Sequence, residues 1–175
     1  MRRSDFPTTA NLLTLIAIAG APWFLAGCAY TLGTTLPSNL RSIHVPTFVN
    51  QSGEPQIENE TTQATIQEFQ RDGNLRIVDA DKADLLLTVT LTGYKLEPVR
   101  YERDNTRQNA EYRARISATM QLKRGKSGEV MLKQAVEGES TFLFSGDLTS
   151  SKRTALPKAT QDLAHNIVEK VVEYW

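Results

Sequence analysis

The sequence predicts an α+β fold: one domain with the element order β-α-β-β-β-β-α, a mostly antiparallel or mixed sheet, and two helices packed on one face. Three observations carry this. Residues 111–123, "EYRARISATMQLK", alternate without a break, placing Tyr112, Ala114, Ile116, Ala118, Met120 and Leu122 on one face. That period of two is a long strand with one wet face. Residues 83–101 repeat the pattern, with Leu85, Leu87, Val89 and Leu91 in phase. The last residues instead follow a helical period through Leu156, Leu163, Ile167, Val171 and Trp175, with Ala159 and Ala164 beside them and Lys158, Asp162, Glu169, Lys170 and Glu173 opposite. Strands followed by an amphipathic helix bury one sheet face and leave the other wet.

The elements follow in order. Residues 41–49, "RSIHVPTFV", alternate around Ile43, Val45 and Phe48 and read as a strand. Pro46 assigns it to an edge or a bulge. "NQSGEPQ" is a turn, and Pro55 opens a helix over 56–71, where a missing N–H is tolerated. Thr62, Thr65, Ile66 and Phe69 share its inner side, and Asp72-Gly73 closes it. Residues 75–79 form a second strand. In the third, the apolar phase shifts by one beyond Gly93, to Tyr94 and Leu96, which predicts a bulge there. "GKSG" turns the fourth strand into a fifth at 128–137, continuing toward Phe144 with a break at Gly138. "SGDLTSSKRTALPK", residues 145–158, reads as a loop leading into the last helix.

The chain's start has a different character. Arg2 and Arg3 precede an apolar stretch of 14 residues, Leu12 to Leu25. A membrane span needs roughly 20. A basic start, a short apolar middle and small residues at the end are the layout of a secretory signal. The end, Leu25-Ala26-Gly27-Cys28, resembles the bacterial lipobox. That resemblance implies cleavage before Cys28 and lipidation of its thiol. Cys28 is the only cysteine, so no disulfide supports the fold. Residues 1–27 are thus expected to be a lipoprotein signal peptide, 28–40 a lipidated tether rich in Gly, Pro, Ser and Thr, and 41–175 the folded domain. Ala29 takes the place of the Asp that holds such lipoproteins at the inner membrane, which favours the outer membrane.

Charge narrows the function. The chain's net charge is 0, and Arg2, Arg3 and Asp5 carry +1 of it, so the remainder carries −1. A near-neutral domain is no general nucleic-acid binder. The sequence contains no G-x-S-x-G, P-loop or G-x-G-x-x-G. His44 and His165 are isolated from further metal ligands in sequence, and Asp79, Asp81 and Asp84 lack the glycine and glutamate of a calcium loop and read as a solvated turn. The chain therefore reads as a binder rather than an enzyme, with no cofactor. Its densest feature is basic: Arg100, Arg103, Arg107, Arg113 and Arg115, five arginines in 16 residues, with Lys95 and Tyr101 nearby and Glu97, Glu102, Asp104 and Glu111 interleaved. Two readings fit, a hairpin laced by cross-strand ion pairs and a site for anionic oxygens, which guanidinium forks suit.

The ordered set "GCAYTLGTTLP", "SIHVPTFVNQSGEPQIENETTQATIQEFQRDGNLRIVD", "ADLLLTVTLTGY" and "EYRARISATMQL" resembles the lipopolysaccharide-assembly lipoprotein family LptE. The resemblance implies an outer-membrane, lipid-anchored protein that sits inside the β-barrel translocon LptD, plugs its lumen, helps it assemble and contacts lipopolysaccharide (LPS). The five arginines are candidates for that contact on their own chemistry. The "VPTFVNQSGEP" segment is also similar to other small α+β envelope lipoproteins. These leave open an adaptor or activator of another envelope complex, such as a cell-wall synthase or a transport auxiliary.

Overall fold

A computed structural model describes residues 36–37, 39–101, 109–143 and 147–175. The expected alternation becomes a meander of three long antiparallel strands, β4 (Leu85–Tyr101), β5 (Asn109–Arg124) and β6 (Val130–Leu143). Three shorter strands, β1 (Ser42–His44), β2 (Val49–Asn50) and β3 (Arg76–Ile77), add parallel pairings. The sheet order is β3-β1-β4-β5-β6, and β2 pairs with β4 further along the same edge as β1. The sheet is mixed. Helices α1 (Ile57–Asp72) and α2 (Leu148–Val172) pack against each other and against the apolar sheet face.

The phase shift in β4 is a bulge, as its sequence requires. The β4–β5 register slips between Leu91, opposite Ala118, and Gly93, opposite Ser117. On one side of the slip Leu85, Leu87, Val89 and Leu91 are buried, and on the other Tyr94 and Leu96 turn to the same core. Inserting one residue thus keeps one face apolar along the whole strand.

Several expectations need correction. The strand over 41–49 is two pieces, because Pro46 carries no N–H for the ladder. Across the gap the Thr62 hydroxyl on α1 accepts from Phe48 N–H at 3.0 Å. The piece before Pro46 lies inside the sheet, between β3 and β4, and only the piece after it borders β4 alone. Next, Pro55 does not open α1. It forms a turn with Gln56, whose φ of 65° is left-handed, and the helix begins at Ile57. Finally, the segment 145–158 is largely helical. Asp147 caps α2 by accepting from the N–H groups of Thr149 and Ser150, so the helix starts at Leu148 and carries Pro157 inside it.

Gly138 does not interrupt β6. The strand runs through it, and the backbone of α2 lies directly above. A Cβ on Gly138 would stand 2.4 Å from Leu163 N and 2.6 Å from Ala159 O. The glycine sets the approach of helix to sheet. Ala155, Ala159, Leu163, Ile167 and Val171 of α2 are buried against β5 and β6. At the far end α1 closes at Gly73, in the left-handed region as expected, with its N–H bonded to Phe69 O at 3.0 Å.

Candidate functional site

Both helices lie on the apolar face, so the opposite face of the meander is covered by no element among the described residues. Strand alternation turns Thr88 and Thr90 of β4, and Arg113, Arg115, Ser117, Thr119 and Gln121 of β5, to that side, all of them half-buried between neighbouring strands. The bulge matters here too. After the slip, Lys95 sits opposite Arg115 and Glu97 opposite Arg113, while Thr141 and Glu139 of β6 flank Arg113 and Arg115 on the other side.

The result is a cross-strand ladder of charge. Arg115 donates from Nε to Glu139 Oε1 at 2.7 Å, and its guanidinium lies 3.7 Å from Glu97 and 3.8 Å from Glu137. Arg113 Nε is 3.4 Å from Glu139 Oε2. The Glu139 hydrogen bond and charge, with those of Glu97 and Glu137, raise the Arg115 pKa further above its usual range. Lys95, Arg113 and Arg115 balance Glu97, Glu137 and Glu139, so the ladder is neutral. Exposed pairs of this kind are worth about 0.2–1 kcal/mol each.

The predicted residues separate. Arg113 and Arg115 share the open face. Arg100 lies in β4 with its backbone opposite Glu111, and its side chain is outside the described residues. Arg103, Arg107 and Cys28 are also outside the described residues. Of the acidic partners, Glu97 and the cross-strand pairing were legible in the sequence, while Glu137 and Glu139 were missed. With β6 expected to break at Gly138, Glu139 had no place beside Arg115, although a tight turn at 125–128 fixes that register.

The other titratable candidates serve the fold. His44 Nδ1 lies 2.9 Å from Val78 O, and His165 Nδ1 lies 3.0 Å from Glu68 Oε1 across the helix pair. Burial pushes the Glu68 carboxyl up, but hydrogen bonds from His165 and Arg71 outweigh it and hold the group below its usual range. Asp84 is not a solvated turn residue. Its Oδ2 accepts from the Ser42 hydroxyl at 2.7 Å and from the N–H groups of Arg41 and Ser42, and these bonds lower its pKa. Tyr94 is pushed up to about 12 by burial and by the Glu54 charge, with Lys152 5.1 Å above its ring. Among the described residues no group of three or more His, Cys, Asp or Glu side chains could hold a metal.

At the hairpin end, a cavity of about 530 Å³ lies between β6 and the first turns of α2, with Phe142, Ala155, Lys158 and Glu111 on its walls. Phe142 stacks on Tyr112 at 5.7 Å. Leu143 is 73 % exposed at its rim.

Several solved structures share this fold at low identity. One is the hypothetical protein CT253 from Chlamydia trachomatis, at TM-score 0.57 and 10% identity, covering 77% of this chain and 97% of that one. Protein XCC0632 from Xanthomonas campestris aligns at TM-score 0.55 and 13% identity, covering 79% and 90%. The uncharacterized lipoprotein B from Nitrosomonas europaea aligns at TM-score 0.52 and 11% identity, covering 82% and 92%. At such identities they share the architecture alone. Among curated proteins none matches the chain. A family model does: LptE, described as lipopolysaccharide-assembly, matches residues 40–171, from the buried Leu40 through the last buried turn of α2. The chain belongs to the LptE lipopolysaccharide-assembly family.

Proposed function

We propose that this chain is an outer-membrane lipoprotein, anchored through Cys28, that seats in an LptD-type β-barrel, supports the barrel's assembly and takes part in delivering LPS to the outer leaflet. The observation that carries this reading is the open sheet face. Its middle offers threonine, serine and glutamine side chains and a neutral ion-pair ladder, with Leu86 and Val130 at one end and Leu143 at the other. A transmembrane barrel's interior is polar, and such a face can exchange hydrogen bonds with it without burying unpaired charge. The role is one of binding, without catalysis or cofactor.

The LPS contact belongs to the same proposal. Arg100, Arg103, Arg107, Arg113 and Arg115 would meet its phosphates at the β4–β5 hairpin. For Arg113 and Arg115 this means exchanging a glutamate partner for a phosphate, so the site favours anions that offer several oxygens to one fork.

Affinity purification from detergent-solubilised membranes tests the core of the reading. A β-barrel of the LptD type should co-purify, and depleting the chain should leave that barrel misassembled. Recovery of a cell-wall synthase or a transport complex instead would overturn the proposal. Cys28→Ala should remove lipid labelling. Replacing Arg113 and Arg115 by Ser should weaken LPS binding several-fold at low salt, since salt screens such contacts. Lys170, paired with Glu173 at 3.1 Å at the far end of α2, is the control position.

A further inference from the structure

β6 is the outer strand of the sheet, and among the described residues no strand pairs with its far side. A long unpaired edge is a template for another chain. The first half of β6, Val130–Val136, reads VMLKQAV, with one charge and no proline. That is the composition of a strand that pairs with copies of itself. The other long edge is blunted within its own sequence. On that side β4 has no strand partner beyond Leu91 among the described residues, and Pro98 lies in the open stretch with Glu97 and Arg100 close by.

The middle of β6 is protected differently. Alternation along the ladder turns the backbone groups of Glu137 and Glu139 away from β5. Two side chains of α2 meet them there. Glu139 N–H donates to Asp162 Oδ2 at 2.8 Å, and Asn166 Nδ2 donates to Glu137 O at 2.8 Å. Asn166 Nδ2 also lies 3.4 Å from Asp162 Oδ2, which ties the two together across one helical turn. A neighbouring strand would offer this edge an acceptor for the N–H and a donor for the C=O. The carboxylate and the amide supply both. Gly138, between the two glutamates, makes the reach possible. The α2 backbone lies where its Cβ would stand, so the short side chains of Asp and Asn span the gap.

We propose that Asp162 and Asn166 stand in for a missing strand and guard the β6 edge against a second copy of this chain. Their position suits that role. Two β6 strands pairing antiparallel about a two-fold axis over their full length must cross near the strand's midpoint, and residues 137–139 lie there in Val130–Leu143. With those backbone groups occupied, only Val130–Val136 and Ser140–Leu143 stay open. The second stretch is short. In the first, a two-fold pairing sets Lys133 opposite its own copy, where like charges repel. The guard does not depend on the barrel association.

The test uses the full chain in detergent, with its state of association read by sedimentation equilibrium. The double variant Asp162→Ala, Asn166→Ala should dimerise at a concentration at least roughly tenfold below that of the unaltered chain, the effect of one or two inter-strand hydrogen bonds. Amide exchange should place the new contact on β6, with added protection at Lys133, Ala135 and Thr141, whose N–H groups alternation turns outward. Asp162→Asn keeps a carbonyl oxygen for the Glu139 N–H and should associate no more than the unaltered chain. If the double variant does not fold, Asn166→Ser makes the same comparison with the Asp162 bond left in place, and it should associate more strongly than the unaltered chain. A folded variant that associates no more than the unaltered chain, a lower urea midpoint without association, or a dimer that leaves the β6 amides unprotected would overturn the proposal.

Discussion

Gly138 has no room for even one more carbon. Its missing Cβ is replaced by the α2 backbone and by Leu163 Cβ at 2.5 Å. Gly138→Ala should therefore push the helix off the sheet and destabilise the fold by roughly 1–3 kcal/mol, the range for overpacking. A urea midpoint measured against wild type checks this, and an unchanged midpoint would mean that the helix sits further out than described. Asp84 acts through charge. Hydrogen bonds from Ser42 and Arg41 stabilise its carboxylate, so its folded pKa lies below the unfolded value of about 3.9. The sign follows from linkage. The stabilisation is complete above the unfolded pKa and fades as pH falls through the folded one. Asp84→Asn should thus lower stability at pH 6, and the gap to wild type should narrow once the pH falls below the unfolded carboxylate value toward the lower folded one. Urea titrations at pH 6 and at successively lower pH measure it, and a constant gap would exclude the carboxylate's charge as the cause.

Among the elements, β5 was the most legible, because each apolar side chain has a polar neighbour and the period admits no other fold. The β4 bulge was legible for the same reason, since a phase shift in a half-buried strand has one economical explanation. Other features were not. The start of α2 was hidden by Pro157, which reads as a helix breaker, while the capping signal at Asp147 lies ten residues upstream among serines and threonines. The parallel pairing of β1 depends on contacts with β3 and β4 some 30 to 40 residues away, beyond any local pattern. The arginine site was half legible. Alternation placed Arg113 and Arg115 together and Glu97 was in view beside them, but Glu137 and Glu139 required the register of β6. Pro157 also marks a place where the helix forgoes stability. Its ring removes a hydrogen bond to the preceding turn, and the residue is exposed. Pro157→Ala should raise the unfolding free energy by about 1–3 kcal/mol. Thermal denaturation checks it, and a loss would show that the proline is needed to aim the first turns of α2.

For the molecule as a whole, the sheet joins two kinds of pairing. β4, β5 and β6 are long and sequential, linked by a hairpin and a tight turn. β1, β2 and β3 each contribute two or three paired residues, held by parallel ladders and by the Asp84 side chain. Amide exchange should separate them. The amides of Arg76 and Val78, bonded across to Arg41 O and Ile43 O, should exchange through local opening. Those of Val89, Ala118 and Met120 at the core should exchange only on global unfolding. Equal protection in both sets would show that the small strands are part of one cooperative unit. A kinetic consequence follows from the Asp84 clasp on Ser42, 42 residues away in sequence. The meander can zip outward from its turns whereas the clasp must close that span in one step, so the first strand should dock after the meander, an order that pulse-labelled amide exchange during refolding would read. In the interval the β1-facing edge of β4 is an open template, and a partner strand that arrived then would compete with the chain's own N-terminal segment for it.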